Sequence, residues 1–160
     1  MFEISLFKEF LNKLKEKSKK PYKVSLKQFA PSILQKSLKL RVIDSWDDEW
    51  TMAELYALEW PNYSVQAYWI DFVASPKHSD WIVIVGAIPQ NMQQAVLDAY
   101  KIIAEPKIVI ACWDKAINWD KRFTNCLWAK DLLKVDLEIP WNPPSAIDIF
   151  SYLASYTKKI

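Results

Sequence analysis

Glycine is nearly missing from this sequence: Gly86 is the single one in 160 residues, where average usage gives roughly eleven. Loops that need a positive φ or a close backbone approach must therefore use other residues or be lost. Cysteine is scarce too. Cys112 and Cys126 are too few for a disulfide framework or a four-thiolate site, and with no secretory signal the expectation is a reducing, cytosolic setting. Histidine occurs once, as His78 in "SPKHSD", so there is no His pair at metal spacing, and no nucleophile and base pair is visible. A lone His of this kind reads as a structural hydrogen-bonding residue. There is no glycine-rich phosphate loop and no serine elbow. The longest apolar run, Trp81 to Ile88, is far too short to span a bilayer. Repeats and low-complexity segments are absent.

What is present describes a globular chain. About half of the residues are apolar (51%) and a quarter charged (25%), enough for one ordinary core without disulfides or metal. Tryptophan is abundant, at nine. The net charge of +2 hides an asymmetry: residues 1–41 carry eleven Lys or Arg against three acids, and residues 42–160 carry ten against sixteen. In the basic part Phe7, Phe10, Leu11 and Leu14 recur at helical spacing, with Lys8, Lys13, Lys15 and Lys17 on other faces, so an amphipathic helix ending near Pro21 is expected. It docks either on protein or, through Phe2 to Lys20, on anionic lipid head groups. Nucleic acid is not expected, because the remainder of the chain is acidic.

From Ser37 onward short β-type runs alternate with helical ones. "LKLRVID" reads as a strand, "EWTMAELYAL" as a helix, and "VQAYWIDFV" as a strand or edge hairpin. "DWIVIVGAI" and "PKIVIACW" read as strands buried on both faces. "PQNMQQAVLDAYKIIA" and "PPSAIDIFSYLASYTKK" are helical. The pattern predicts an α/β fold, a three-layer flavodoxin-like sandwich with a mostly parallel central sheet. An N-terminal segment, 1–36, would precede a domain of residues 37–160. Ligands of such sheets sit outside the carboxyl ends of the strands, here Asp44 to Glu49, Gly86 to Gln90, Cys112 to Lys115 and the loop before Ile139. The acidic run Asp44, Asp47, Asp48, Glu49 suits either a cation or a solvated helix cap. Cys112 reads as a small apolar residue ending a buried strand; Cys126 has no evident role.

The stretch "IPWNPP" places Trp141 and Asn142 among prolines, where a tight bend ordinarily uses small residues. With "SPKHSDWIVIVGAIPQNM", "EPKIVIA" and "VDLEIPWNPP" in that order and spacing, the chain over about residues 36–155 resembles a known family. This is the small subunit of membrane-bound, energy-converting nickel–iron hydrogenases and its equivalent in respiratory NADH:quinone oxidoreductase, complex I. The family segments are Ser-Pro-Arg-His-Ala-Asp, a buried strand ending in Thr-Gly, and Val-Asp-Val-Tyr-Val-Pro-Gly-Cys-Pro-Pro.

The resemblance implies a protein that holds one 4Fe–4S relay cluster on four cysteine thiolates. Those come from Cys-x-x-Cys-x-x-Glu, from Gly-Ala-Cys after a strand, and from Pro-Gly-Cys-Pro-Pro. Matched without gaps, the ligand positions carry Asp48, Thr51, Lys115 and Asn142, the motif's acid is kept as Glu54, and the neighbouring glycines correspond to Trp46, Trp50, Trp113 and Trp141. The expectation is a site filled by tryptophan, with an Asp48 to Lys115 ion pair flanked by Thr51 and Asn142 in the cluster's place. No cofactor, metal or catalytic residue is then expected. The implied role is a non-redox structural or assembly subunit on the cytoplasmic side of the membrane, docked against a large-subunit-like protein and membrane subunits. "ALEWPNYSVQAYW" offers an aromatic interface. The alternative is a stand-alone binding or regulatory module that reuses the fold.

Overall fold

The computed structural model describes residues 37–46, 49–118, 125–141 and 143–157. The amphipathic helix expected within residues 1–36, and with it Asp47, Asp48 and Asn142, lie outside the described residues.

Five parallel strands form the central sheet: β1 (Leu38–Trp46), β2 (Ile70–Phe72), β3 (Trp81–Gly86), β5 (Ile108–Cys112) and β7 (Leu137–Ile139). Their spatial order is β2-β1-β3-β5-β7. With β4 (Ile88–Pro89) and β6 (Cys126–Leu127) set aside as a small antiparallel ribbon, this is the flavodoxin-type doubly wound order, whose winding reverses between β1 and β3.

The layers follow from side-chain periodicity. β3 is buried at every residue. Its Trp81, Val83 and Val85 point into one core and its Ile82 and Ile84 into the other, as successive strand side chains must. The first core is closed by α1 (Trp50–Ala57) and α5 (Ala146–Thr157) through Leu55, Ile149, Phe150 and Leu153. The second is closed by α2 (Gln90–Ile102), α3 (Asp114–Ile117) and α4 (Ala129–Leu132) through Val96, Ala116 and Ala129. Fully buried Ile, Val or Leu side chains each contribute about 1.5–3 kcal/mol, so β3, with both faces covered, anchors the domain. Cys112 ends β5 fully buried, packed as a small apolar residue.

Where α2 stops, Lys107 satisfies its last carbonyls. Its ammonium donates to the Tyr100 and Ile103 carbonyl oxygens at 3.0 and 3.1 Å, pairs with Glu105 at 3.2 Å and lies 4.1 Å from the Tyr100 ring centroid. A cation at a helix C-terminus opposes the dipole's negative end.

Two expectations change. "VQAYWIDFV" is neither a long strand nor a hairpin: Val65–Tyr68 makes one 3-10 turn, Trp69 turns left-handed at φ 63°, and only Ile70–Phe72 joins the sheet. Before Ile139 the chain is not all loop, because "LEI" becomes β7 by pairing with β5 at Ile110, Ala111 and Cys112. A strand of three residues has too little periodicity of its own to be recognised.

Candidate functional site

The carboxyl edge of the sheet gathers the residues that the sequence singles out. β1 ends at Trp46 through an irregularity after Asp44, and Trp46 pairs with Gly86. Gly86, the single glycine, takes φ 82° there, a backbone that costs glycine nothing. Glu49 then turns left-handed (φ 67°) and α1 begins without a side-chain cap bond. The helix-cap reading of the acidic run therefore fails at Glu49, the one of Asp47, Asp48 and Glu49 that is described.

On α1, Thr51 and Leu55 face the core. Trp50 precedes Thr51 by about 100° of helical turn, so it must point away, and it is 67% exposed. Thr51 is fully buried and its hydroxyl has no hydrogen-bond partner among the described residues. An orphaned buried hydroxyl costs about 1–3 kcal/mol. Glu54, one turn on, reaches across the layer: its Oε2 accepts the Ala146 backbone N–H at 2.8 Å. That N–H opens α5, so the carboxylate meets the helix dipole's positive end. Ser145 and Asp148 complete the start of α5. The serine hydroxyl donates to Asp148 Oδ2 at 2.6 Å and accepts the Asp148 N–H at 3.3 Å, so Ser145 satisfies one of the helix's first N–H groups.

The ends of β5 and β7 are stitched together. Trp113 N–H donates to the Ile139 carbonyl at 2.9 Å and Asp114 N–H to the Trp141 carbonyl at 3.3 Å. In return Trp141 N–H donates to Asp114 Oδ1 at 2.8 Å. The backbone here is unusual for tryptophan: Trp113 has φ 85° and ψ 144°, and Trp141 φ 96°. A non-glycine residue in left-handed or neighbouring space costs on the order of 1–3 kcal/mol. Lys115 lays its ammonium 3.9 Å from the Trp113 ring centroid, a cation–π contact.

The edge thus brings together Trp46, Trp50, Thr51, Glu54, Trp113, Lys115 and Trp141. A filling of the site by four tryptophans is not what the fold shows. Trp113 is fully buried, whereas Trp46, Trp50 and Trp141 are 47%, 67% and 64% exposed. One indole occupies the interior, and the others stand on a helix start, a strand end and a loop with no further layer of described residues over them. Beside this edge, at the point where the winding reverses, Trp46, Pro89, Gln90, Asn91, Asn125 and Cys126 line an open groove of about 490 Å³. Cys126 sits on β6, and burial pushes its thiol pKa up, so it is a poor nucleophile. The Asp114–Trp141 and Glu54–Ala146 hydrogen bonds had no signal in the sequence, since neither partner is periodic with the other.

Several known proteins share this sequence or fold. Over 95 residues the chain is 34% identical to the B subunit of the NADH-quinone oxidoreductase of Carboxydothermus hydrogenoformans, covering 57% of each protein. Over 153 residues it is 28% identical to the K subunit of the NAD(P)H-quinone oxidoreductase of Prochlorococcus marinus, covering 82% of this chain and 61% of that one. Formate hydrogenlyase subunit 7 of Escherichia coli is 29% identical over 97 residues, 58% of this chain and 37% of its own length. The chain thus spans about three-fifths or less of the curated relatives it matches. In structure it superposes on a chain of the membrane-bound sulfane sulfur reductase, an archaeal respiratory membrane complex. The TM-score is 0.64 at 20% identity, over 78% of this chain and 72% of that one; this is a likeness of fold. No protein-family model matches.

Proposed function

From its homology to these NADH-quinone oxidoreductase proteins and to small subunits of membrane-bound hydrogenases, we propose that this chain is a structural, non-redox subunit of a membrane-bound respiratory complex. It would occupy the place of the cluster-carrying subunit without carrying a cluster. One combination of observations carries this reading. Trp113 and Trp141 keep the positive φ that the glycines of the resembled cluster loops would adopt freely, and the resemblance assigns the ligand positions to Asp48, Thr51, Lys115 and Asn142 instead of thiolates. Oxygen and nitrogen donors of this kind do not suit iron–sulfur clusters, which take soft sulfur ligands. Among the described residues no group of three or more His, Cys, Asp or Glu is placed to hold a metal. Of the two cysteines, Cys112 ends β5 buried in the core and Cys126 lies on the β4–β6 ribbon. Lys115, resting on the Trp113 ring, is the cationic half of the ion pair proposed to replace the cluster, with Asp48 as its partner.

The partners would be a large-subunit-like protein and membrane subunits. The basic segment Phe2 to Lys20 would lie against them or against anionic lipid on the cytoplasmic face. Among the described residues no helix is long and apolar enough to cross a membrane.

The test is metal and sulfide analysis of the purified chain, together with identification of the proteins that co-purify from native membranes. The expected result is no iron and no acid-labile sulfide in the chain, and recovery with large-subunit-like and hydrophobic antiporter-like proteins. About four irons and matching sulfide per chain, as a 4Fe–4S cluster gives, would overturn the non-redox reading. The groove of about 490 Å³ at the winding reversal favours a second reading, a stand-alone binding module. Large exposed apolar side chains, among them Trp50, Trp60, Trp69 and Trp141, weigh against it. A stable monomer recovered without partners from native cells would reverse that order.

A further inference from the structure

We propose that residues 21–36 of this chain form a strap over the amino edge of its own sheet, covering Trp60, Trp69 and Tyr56. This corner lies at the end of the sheet opposite the candidate site, and the strap is independent of whether a cluster is carried there.

The connection from α1 to β2 builds the surface. α1 runs from the carboxyl edge to the amino edge and ends in tight turns, where Leu58, Glu59 and Trp60 donate their N–H groups to the Leu55, Tyr56 and Ala57 carbonyls at 3.2, 3.0 and 3.0 Å. Ser64 N–H then returns to the Trp60 carbonyl at 2.7 Å and Val65 N–H to that of Leu58 at 3.1 Å. Leu58 and Val65 take the interior, and the rings beside them face outward: Trp60, Trp69 and Tyr56 are 60%, 61% and 58% exposed. Together they offer on the order of 350 Å² of aromatic surface, within the range of the largest, often functional patches of a monomer. Trp69 is also left-handed, at φ 63° and ψ 27°, a backbone that disfavours any residue with a Cβ. Strain kept under an exposed ring points to use of that ring by something beyond the described residues.

Position, length and charge select residues 21–36 as the occupant. The segment joins the domain at Ser37, and the next residue, Leu38, donates its N–H to the Trp69 carbonyl at 2.7 Å. The strap is therefore tethered beside the strained tryptophan. Extended chain covers about 3.3 Å per residue, so Phe29 to Lys36 alone reach roughly 25 Å, ample for a corner whose backbone turns back on itself. Tethering over so short a span gives an effective concentration in the millimolar range, at which modest apolar contacts suffice. By sequence the segment supplies Tyr22, Val24, Leu26, Phe29, Ile33 and Leu34, with Lys23, Lys27 and Lys36 and no acid.

The surface it meets is acidic. Glu59 precedes Trp60, Asp71 follows Trp69 by two residues and Asp80 stands before β3, all exposed, against Lys39 on the adjoining strand. Neither Glu59 nor Asp71 has an ion pair among the described residues. These carboxylates attract the lysines of the strap, and they repel anionic lipid and a second copy that presents the same corner face to face. Held in this way, the strap makes the basic segment Phe2 to Lys20 leave the domain at its amino edge, away from Trp46, Trp50, Trp113 and Trp141.

The test is oxidative footprinting of tryptophan side chains in the full chain, read by mass spectrometry. Trp50 and Trp141 serve as internal references, because their exposures of 67% and 64% match those of Trp60 and Trp69. In the parent Trp60 and Trp69 should oxidise several-fold more slowly than the references, at any protein concentration, and the protection should weaken as salt rises. In the full-length variant Phe29→Asp with Ile33→Asp they should oxidise at the reference rate while the circular dichroism stays that of the parent. A zero-length carbodiimide should also join a lysine of residues 21–36 to Glu59 or Asp71 within one chain. Oxidation of Trp60 and Trp69 at the reference rate in the parent would overturn the strap. So would protection that survives the double substitution, which means that another partner covers the corner, or protection that fades on dilution, which means a second copy. Absence of every such cross-link would overturn the charge pairing.

Discussion

Replacing Trp141 by glycine and, separately, by alanine isolates what the backbone at this position costs. Both variants lose the same partly buried ring, 64% exposed in the folded chain, so the contact term cancels between them. What remains is φ 96°. Alanine there keeps a Cβ penalty of about 1–2 kcal/mol, which glycine escapes. Glycine in turn gives back about 0.5–1 kcal/mol through the greater freedom of its unfolded chain. The glycine variant should therefore be the more stable by about 0.5–1 kcal/mol, the reverse of the order at an ordinary helix or strand position.

For a chain of 160 residues that difference is worth roughly 2–3 °C in Tm. Urea or thermal unfolding followed by far-ultraviolet circular dichroism measures it. The same pair at Trp113 should differ by more, about 1–2 kcal/mol, because φ 85° with ψ 144° borders a region that is almost exclusively glycine's. Both Trp113 variants also lose a fully buried indole, at about 3–5 kcal/mol. An alanine variant as stable as its glycine counterpart at both sites would refute the claim that these loops keep a glycine backbone under tryptophan.

Glu54→Ala should lower stability by about 1–2 kcal/mol by leaving the first N–H of α5 without its carboxylate, and Glu54→Gln, which retains an acceptor, should lose less. Equal melting temperatures for Glu54→Ala and the parent would remove the Glu54–Ala146 link (2.8 Å) from the account. Lys107→Met strips the Tyr100 and Ile103 carbonyls of their donor and should cost about 1–3 kcal/mol, with faster amide exchange confined to the last turn of α2. At alkaline pH, burial raises the Cys126 thiol pKa above its ordinary 9.0. Burial first, and then the charge of Asp136, raises the Tyr156 pKa above its ordinary 10.0. Folding thus disfavours both ionised forms. The stability these groups lend is whole below their ordinary pKa values and is lost as pH climbs through the raised ones, so Tm should fall more steeply above about pH 9 in the parent than in Cys126→Ser with Tyr156→Phe. Identical alkaline profiles would count against both shifts.

Much of the layer architecture was legible without coordinates. "WIVIVG" and "KIVIAC" are apolar at nearly every position, a pattern that suits a strand covered on both faces. The spacing of Val96 with its neighbours, and the proline that opens "PQNMQQ", marked α2 in advance. Such signals are local: a period of two or of 3.6 residues is written within one segment. β7 was not legible, because three residues carry no period and become a strand only when β5 lies beside them.

The candidate site divides in the same way. That Asp48, Thr51, Lys115 and Asn142 are not thiols, and that Trp stands near each, is fixed by composition and spacing alone. Whether those tryptophans fill a cavity or face outward is decided by the fold. Thr51 and Leu55 claim the inward face of α1, which turns Trp50 out, and Trp113 is the indole that the interior admits. Contacts between residues far apart in the chain are likewise invisible beforehand. Glu54 and Ala146 are separated by 92 positions, and only the packing of α1 against α5 brings carboxylate and N–H together. Sequence determines which chemistry is present and what each short segment prefers; the tertiary structure decides which side chains meet, because that depends on long-range packing that no local pattern records.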